Sequence, residues 1–127
     1  MGINEINVAN LAYIGDAIYE LKIRQYLVLN NFGKVNELQK LAVKYVSAQN
    51  QSIILDYIEG LNILTEEEAY TVSRSRNYKP KSKPKHALIK DYKKATALEA
   101  LFGMLYIKKD DDRINELIDI IIKKTGD

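Results

Sequence analysis

Two carboxylates stand out because of the residues that surround them. Asp16 lies in the run LAYIGDAIYE at residues 11–20, and Glu99 is the only charge in TALEALFGMLY at residues 96–106. Each acid sits among Ala, Gly and apolar side chains spaced like those of a core-facing helix. Burying an unpaired charge is costly, so two such acids call for a shared partner, and a divalent cation is the simplest one. Hard oxygen donors with no His or Cys beside them select Mg²⁺ or Mn²⁺ over zinc. Glu20, one turn after Asp16 on the same face, is a candidate outer ligand. The competing arrangement is a pair of salt bridges, Asp16 with Lys22, Arg24 or a lysine of the helix that carries Glu99, and Glu99 with Lys94 or Arg76. One acid taken singly favours the salt bridge. Two acids separated by a basic segment favour the metal.

That basic segment spans residues 74–94. It carries Arg74, Arg76, Lys79, Lys81, Lys83, Lys85, Lys90, Lys93 and Lys94 against a single acid, Asp91, in a chain whose net charge is only +2. The remainder is net acidic. Such a local concentration is what a polyanion-binding surface looks like, although a solvated lysine-rich loop has the same composition. His86 is the sole histidine and is assigned no chemistry. Tyr13, Tyr78 and Tyr92 could stack or hydrogen-bond, but tyrosines at helical spacing are more often half-buried core.

To bring residues 16 and 99 together the chain needs two long helices that cross closely. Residues 8–29 carry Leu11, Ile14, Ile18 and Leu21 at the spacing of one apolar face, and Asn30, Asn31 and Gly33 end that helix. A second helix is expected over residues 36–46, with Leu38, Leu41, Ala42 and Tyr45 in register. Ser47 can cap a third that runs to about Glu59, with Gly60 as its C′ residue. Thr65 followed by Glu68 is a capping-box pattern that opens a fourth, ending near Arg76. Both prolines, Pro80 and Pro84, fall in residues 77–85 and make that stretch a loop. A fifth helix starts between His86 and Tyr92 and runs to Lys108. Asp110 or Asp111 caps a last one through Ile114, Leu117, Ile118 and Ile121. No stretch alternates like a strand, so the expectation is an all-α fold of about six helices. Ala12 and Gly15 on the first helix, and Ala95, Glu99, Ala100 and Gly103 on the fifth, are small enough to let these two axes approach closely.

Composition narrows the classes. The 127 residues suit one domain, 1–127, and 46% hydrophobic content argues against a disordered chain. With no cysteine there is no disulfide, thiolate site or Cys nucleophile. No apolar run reaches membrane-spanning length, and no basic-then-apolar signal opens the sequence. The expectation is a cytoplasmic protein with no membrane role.

The motifs also carry a family resemblance. LAYIGDAIYE resembles the ribonuclease III motif in its Mini-ribonuclease III form, a small bacterial type without a double-stranded-RNA-binding domain. VSAQNQ at 46–51, TEEE at 65–68, SRSRN at 73–77, PK at 84–85 and YKKATALEALFGMLY at 92–106 agree in order and spacing. The resemblance implies a Mg²⁺-dependent endoribonuclease (Mn²⁺ substituting) that cuts double-stranded RNA to a 5′-phosphate and a 3′-hydroxyl. Its implied target is the base-paired ends of precursor 23S ribosomal RNA, with a large-subunit ribosomal protein as a candidate helper. It makes Asp16 and Glu99 the catalytic, metal-binding pair. It also implies a homodimer with the first motif at its interface, near Tyr13, Ile14 and Ile18. The full-length ribonuclease III pattern has glutamates at the places of Ala9 and Ala12 and an aspartate at that of Thr96, and Mini-type proteins share this thinning. Without a second domain, Arg74, Arg76, Lys79, Lys81, Lys83 and Lys85 are the candidates to hold the duplex. The alternative in another class is a non-catalytic helical adapter that binds RNA through residues 74–94, with both acids in salt bridges.

Overall fold

The computed structural model describes residues 2–30, 32–79 and 89–126. The expected proline loop, with Lys81, Lys83, Lys85 and His86, lies outside the described residues, as does any start of the fifth helix before Ile89. Along the chain come a 3-10 turn, Ile3–Glu5, then α1 (Val8–Leu29), α2 (Val35–Val46), α3 (Ala48–Gly60), α4 (Glu66–Asn77), α5 (Ile89–Ile107) and α6 (Asp111–Gly126). Among the described residues there is no strand. The all-α, six-helix expectation holds, and the 3-10 turn is an addition to it.

Helix α5 is the centre of the fold. Ala95, Ala97, Leu98 and every residue from Ala100 to Leu105 are buried, as befits a helix apolar on nearly all sides. Helices α1, α3 and α4 pack around it, and α2 and α6 close the outside. The helix ends follow local chemistry. The Ser47 hydroxyl accepts from the Asn50 N–H (3.2 Å). Thr65 and Glu68 form the reciprocal capping box, at 3.1 and 2.9 Å. The cap of α6 is Asp110, whose carboxylate accepts from the Arg113 N–H (3.2 Å). One expected cap is different: Gly60 remains inside α3, and the positive φ falls on Asn62 at 60°, a conformation that asparagine tolerates better than most residues.

The face of α1 that enters the core also differs from the expected one. The buried residues are Val8, Leu11, Ala12, Gly15, Tyr19, Ile23 and Leu27. Leu21 is 59% exposed, and Ile14 and Ile18 are half-buried. Contact with α5 decides the rotation, because the small residues of α1 must point at it. A Cβ built on Gly15 would lie 1.6 Å from the Glu99 carbonyl oxygen, and one on Gly103 would lie 1.9 Å from that of Leu11. The two backbones touch at both glycines, which is the close crossing that the small residues had suggested.

Longer side chains lock this crossing in place. The Tyr19 hydroxyl donates to the Tyr45 carbonyl (2.7 Å), and its ring packs on Phe102 with centroids 5.3 Å apart. Arg113 donates to both carboxylate oxygens of buried Glu68 (2.9 and 2.8 Å) and to the Ile63 carbonyl (2.7 Å), fixing α6 to the start of α4. Burial alone would raise the Glu68 pKa, but the hydrogen bonds from Arg113 and Thr65 and the Arg113 charge outweigh it and leave the pKa lowered.

The glycine contacts give a paired test by thermal melting. Gly15→Ala places a methyl group inside a backbone carbonyl and is expected to destabilise the fold by at least about 3 kcal/mol. Gly60→Ala, in a helix with nothing within 4 Å of its added Cβ, is expected to stabilise it by about 0.5–1 kcal/mol.

Candidate active site

The close crossing sets two carboxyl groups in one cavity. Asp16 projects from α1 one residue after the Gly15 contact, and Glu99 projects from the turn of α5 whose carbonyl faces Gly15. Both line a cavity of about 240 Å³ with Ala9, Ala12 and Tyr13 of α1, Ser75 of α4, Tyr78 just beyond it, and Tyr92, Lys93 and Thr96 of α5. Asp16 is exposed and Glu99 half-buried. The pair therefore stands at the mouth and wall of an open cavity and not within the core, as the apolar flanks had suggested for Asp16. Those flanks serve the helix contact one residue away.

Glu99 responds electrostatically to this place. Its pKa is pushed up to about 9, first by burial, then by the hydrogen bond and charge of the neighbouring Asp16 carboxyl, with Glu20 adding at longer range. A hydrogen bond from the buried Gln51 amide works the other way without reversing it. Two facing carboxyl groups without a compensating cation hold a proton at pH values where an isolated glutamate would not.

The salt-bridge alternative is not formed among the described residues. Arg24 pairs with Glu20 (3.4 Å), Lys94 with Asp56 (2.9 Å), and Arg76 with Glu59. Each cation proposed as a partner for Asp16 or Glu99 is thus either turned to another acid or, like Lys22, in no ion pair. The donor set left over, carboxylate oxygens with hydroxyls nearby, fits a hard divalent ion. Asp16 and Glu99 are the groups that would hold it. Glu20 is paired with Arg24 and lines a separate cavity between α1 and α2, so it lies beside the acid pair without sharing its space.

The basic candidates divide. The Arg74 guanidinium donates to the carbonyls of Asn4 and Ile6 (both 3.1 Å), strapping the N-terminal turn to α4, and lies 5.9 Å from the Tyr70 ring centroid. Arg76 is engaged by Glu59. Lys79 is exposed, and Lys81, Lys83 and Lys85 lie outside the described residues. Ser75 escaped the sequence reading, while Lys93 had been named only within the basic segment and Thr96 only as the place of a family aspartate. Lys93, Thr96 and Glu99 follow one another at three-residue spacing on α5, a signal that was available. Tyr13, Tyr78 and Tyr92, which had looked like core, all line the cavity, and Tyr13 is 85% exposed.

Comparison with known proteins fits this geometry. The Ribonuclease III domain profile matches residues 9–110. A Mini-ribonuclease 3 of Enterococcus faecalis is 41% identical, covering 97% of this chain and 93% of that protein. One from Staphylococcus aureus is 38% identical, covering 92% and 87%. A crystal structure of a Fusobacterium nucleatum protein superposes with a TM-score of 0.83 at 37% identity, covering 96% of each chain. The chain belongs to the ribonuclease III family of RNA endonucleases. Within it, the relatives and the motif spacing place it in the Mini-ribonuclease III branch.

The raised Glu99 pKa makes a test by melting in chelator. Because the folded-state value of about 9 lies above the ordinary 4.5, the stability it contributes is complete below about pH 4.5 and is lost as pH rises towards 9. Glu99→Gln should remove that component. The parent's melting temperature should therefore fall relative to the variant's across this interval, and Mg²⁺ should reduce the difference. Parallel profiles would contradict the assignment.

Proposed function

We propose that this protein is a Mg²⁺-dependent endoribonuclease that cuts double-stranded RNA, with Asp16 and Glu99 as its catalytic, metal-holding pair. The observation that carries the reading is the convergence of these two carboxyl groups, neither in an ion pair among the described residues, in one open cavity of a ribonuclease III fold. A divalent ion bound there would neutralise charge on the scissile phosphate and activate a water for in-line attack, leaving a 5′-phosphate and a 3′-hydroxyl. The protein's own contribution is to fix the two acids on helices whose backbones touch. The neighbouring Glu20 gives Glu99 further reason to prefer a cation and is the candidate for an outer contact.

Substrate and assembly are proposed from the motif resemblance. The proposed target is the base-paired ends of precursor 23S ribosomal RNA in the cytoplasm, with a large-subunit ribosomal protein as helper. A-form RNA is gripped chiefly through phosphates and 2′-hydroxyls. Lys79, Lys81, Lys83 and Lys85 are the proposed contacts, together with Arg74 and Arg76, whose side chains are also engaged by Asn4, Ile6 and Glu59. A homodimer would pair the exposed side of α1, where Tyr13, Ile14, Ile18 and Leu21 leave apolar surface uncovered. Two cavities facing one duplex would give a staggered double cut.

The decisive assay uses duplex RNA with Mg²⁺ on protein that sediments as a dimer at micromolar concentration. Asp16→Asn and Glu99→Gln should each lower cleavage by at least about 1000-fold while retaining RNA binding and a folded structure. Replacing Lys81, Lys83 and Lys85 together by Ala should instead weaken binding and flatten its salt dependence. A chelator-insensitive parent, or acid variants that cleave normally, would overturn the reading.

A further inference from the structure

We propose that Lys93 is the phosphate-holding group of this cavity, its ammonium contacting a non-bridging oxygen of the phosphodiester that faces Asp16 and Glu99. This rests on the ribonuclease reading and names the residue within it that meets the substrate's charge.

Three observations carry it. First, Lys93 lines the same cavity as the two acids and is half-buried there. Secondly, it forms no ion pair among the described residues, although its neighbour Lys94 pairs with Asp56, Arg76 with Glu59 and Lys108 with Glu67. Lys79 and Lys90 also form no ion pair among the described residues, but both are exposed to water, whereas Lys93 is half-buried inside a cavity. Thirdly, hydroxyl-bearing residues share the cavity. Thr96 lies one turn towards Glu99 on α5, and Ser75, Tyr78 and Tyr92 also line the space. The cavity thus combines two acids, several hydroxyl-bearing residues and one positive charge.

Charge balance gives that arrangement a purpose. Two carboxylates and one phosphodiester carry three negative charges, and one divalent ion carries two positive ones. A single ammonium in the cavity brings the sum to zero, which matters in a partly desolvated site where an uncompensated charge is costly. Lysine supplies it as a flexible point charge with three donors, able to follow a phosphate through the change in its geometry. On α5, Lys93 lies six residues before Glu99, about 9 Å along the axis at the α-helical rise. A phosphate group and the lysine side chain together span that separation.

The test uses full-length protein with Lys93→Met, which keeps length and removes charge, and Lys93→Arg, which keeps the charge. Duplex RNA binding is measured in chelator over a range of salt, and single-turnover cleavage is measured with Mg²⁺ at saturating RNA. Melting temperatures confirm that both variants fold, since Lys93 holds no partner whose loss would unfold the helix. Lys93→Met should lower the slope of log Kd against log salt by about one and slow cleavage about 100-fold. Lys93→Arg should retain the parent slope and most of the rate. A parent slope in Lys93→Met would overturn the proposal, since the charge then meets no phosphate. A lowered slope with an unchanged rate at saturation would overturn it too, placing the contact outside the reacting cavity. Failure of the parent itself to cleave would strike the ribonuclease reading first, and the two failures are therefore separable.

Discussion

The backbones of α1 and α5 touch, and most of the molecule follows from that contact. With no side chain at Gly15 or Gly103, the carbonyls of Glu99 and Leu11 occupy the space where a Cβ would be. This fixes the rotation of both helices. Tyr19 is carried into the core against Phe102 and the Tyr45 carbonyl, and Leu11, Ile23 and Leu27 follow on the same side. Asp16, next to Gly15 in sequence, and Glu99, one turn before Gly103, both reach the cavity with their side chains. A larger residue at either glycine would separate the axes and the two carboxyl groups together.

The acid pair is therefore a consequence of tight packing as well as the proposed functional device. Carboxyl groups held this close repel one another when both are ionised, and burial of Glu99 adds to the cost. The fold tolerates the strain because the surrounding apolar contacts are many and the cavity is open to a cation. One ion pair elsewhere in the protein is closely satisfied. Arg113 and Glu68 form a two-pronged, largely buried ion pair with the Ile63 carbonyl as a third acceptor. The satisfied ion pair at the start of α4 contrasts with the carboxyl pair at the α1–α5 crossing, which has no ion-pair partner among the described residues and for which a catalytic role is proposed.

Much of this was legible in the sequence, for physical reasons that differ by element. Caps were read well because Ser47 and the Thr65–Glu68 box act within four residues of themselves, where local chemistry decides. The small residues Ala12, Gly15, Ala95 and Gly103 foretold a close crossing because few other contacts require them. The buried face of α1 was misplaced because Leu11, Ile14, Ile18 and Leu21 form as good an apolar stripe as the true one, and only the partner helix chooses between them. Asp16 was expected in the core because its neighbours are apolar, yet a helix turns by about 100° per residue, and one step from Gly15 is enough to reach the cavity. Arg74 looked like a free cation because its acceptors, the carbonyls of Asn4 and Ile6, are some 70 residues distant in sequence and carry no side-chain signature. The hydroxyl-bearing lining was missed for the same reason, since Ser75 and Thr96 come to one cavity only in the folded chain.

The central claim is that the close α1–α5 crossing exists to let Asp16 and Glu99 share one hard cation. Its most direct test is a crystal of the protein soaked in Mn²⁺ and measured for anomalous scattering, with a Glu99→Gln crystal treated identically. The account predicts a single strong peak per chain within coordination distance, about 2.0–2.3 Å, of oxygens from both Asp16 and Glu99, and its loss in the variant. A peak bound elsewhere, or equal occupancy in the variant, would contradict it.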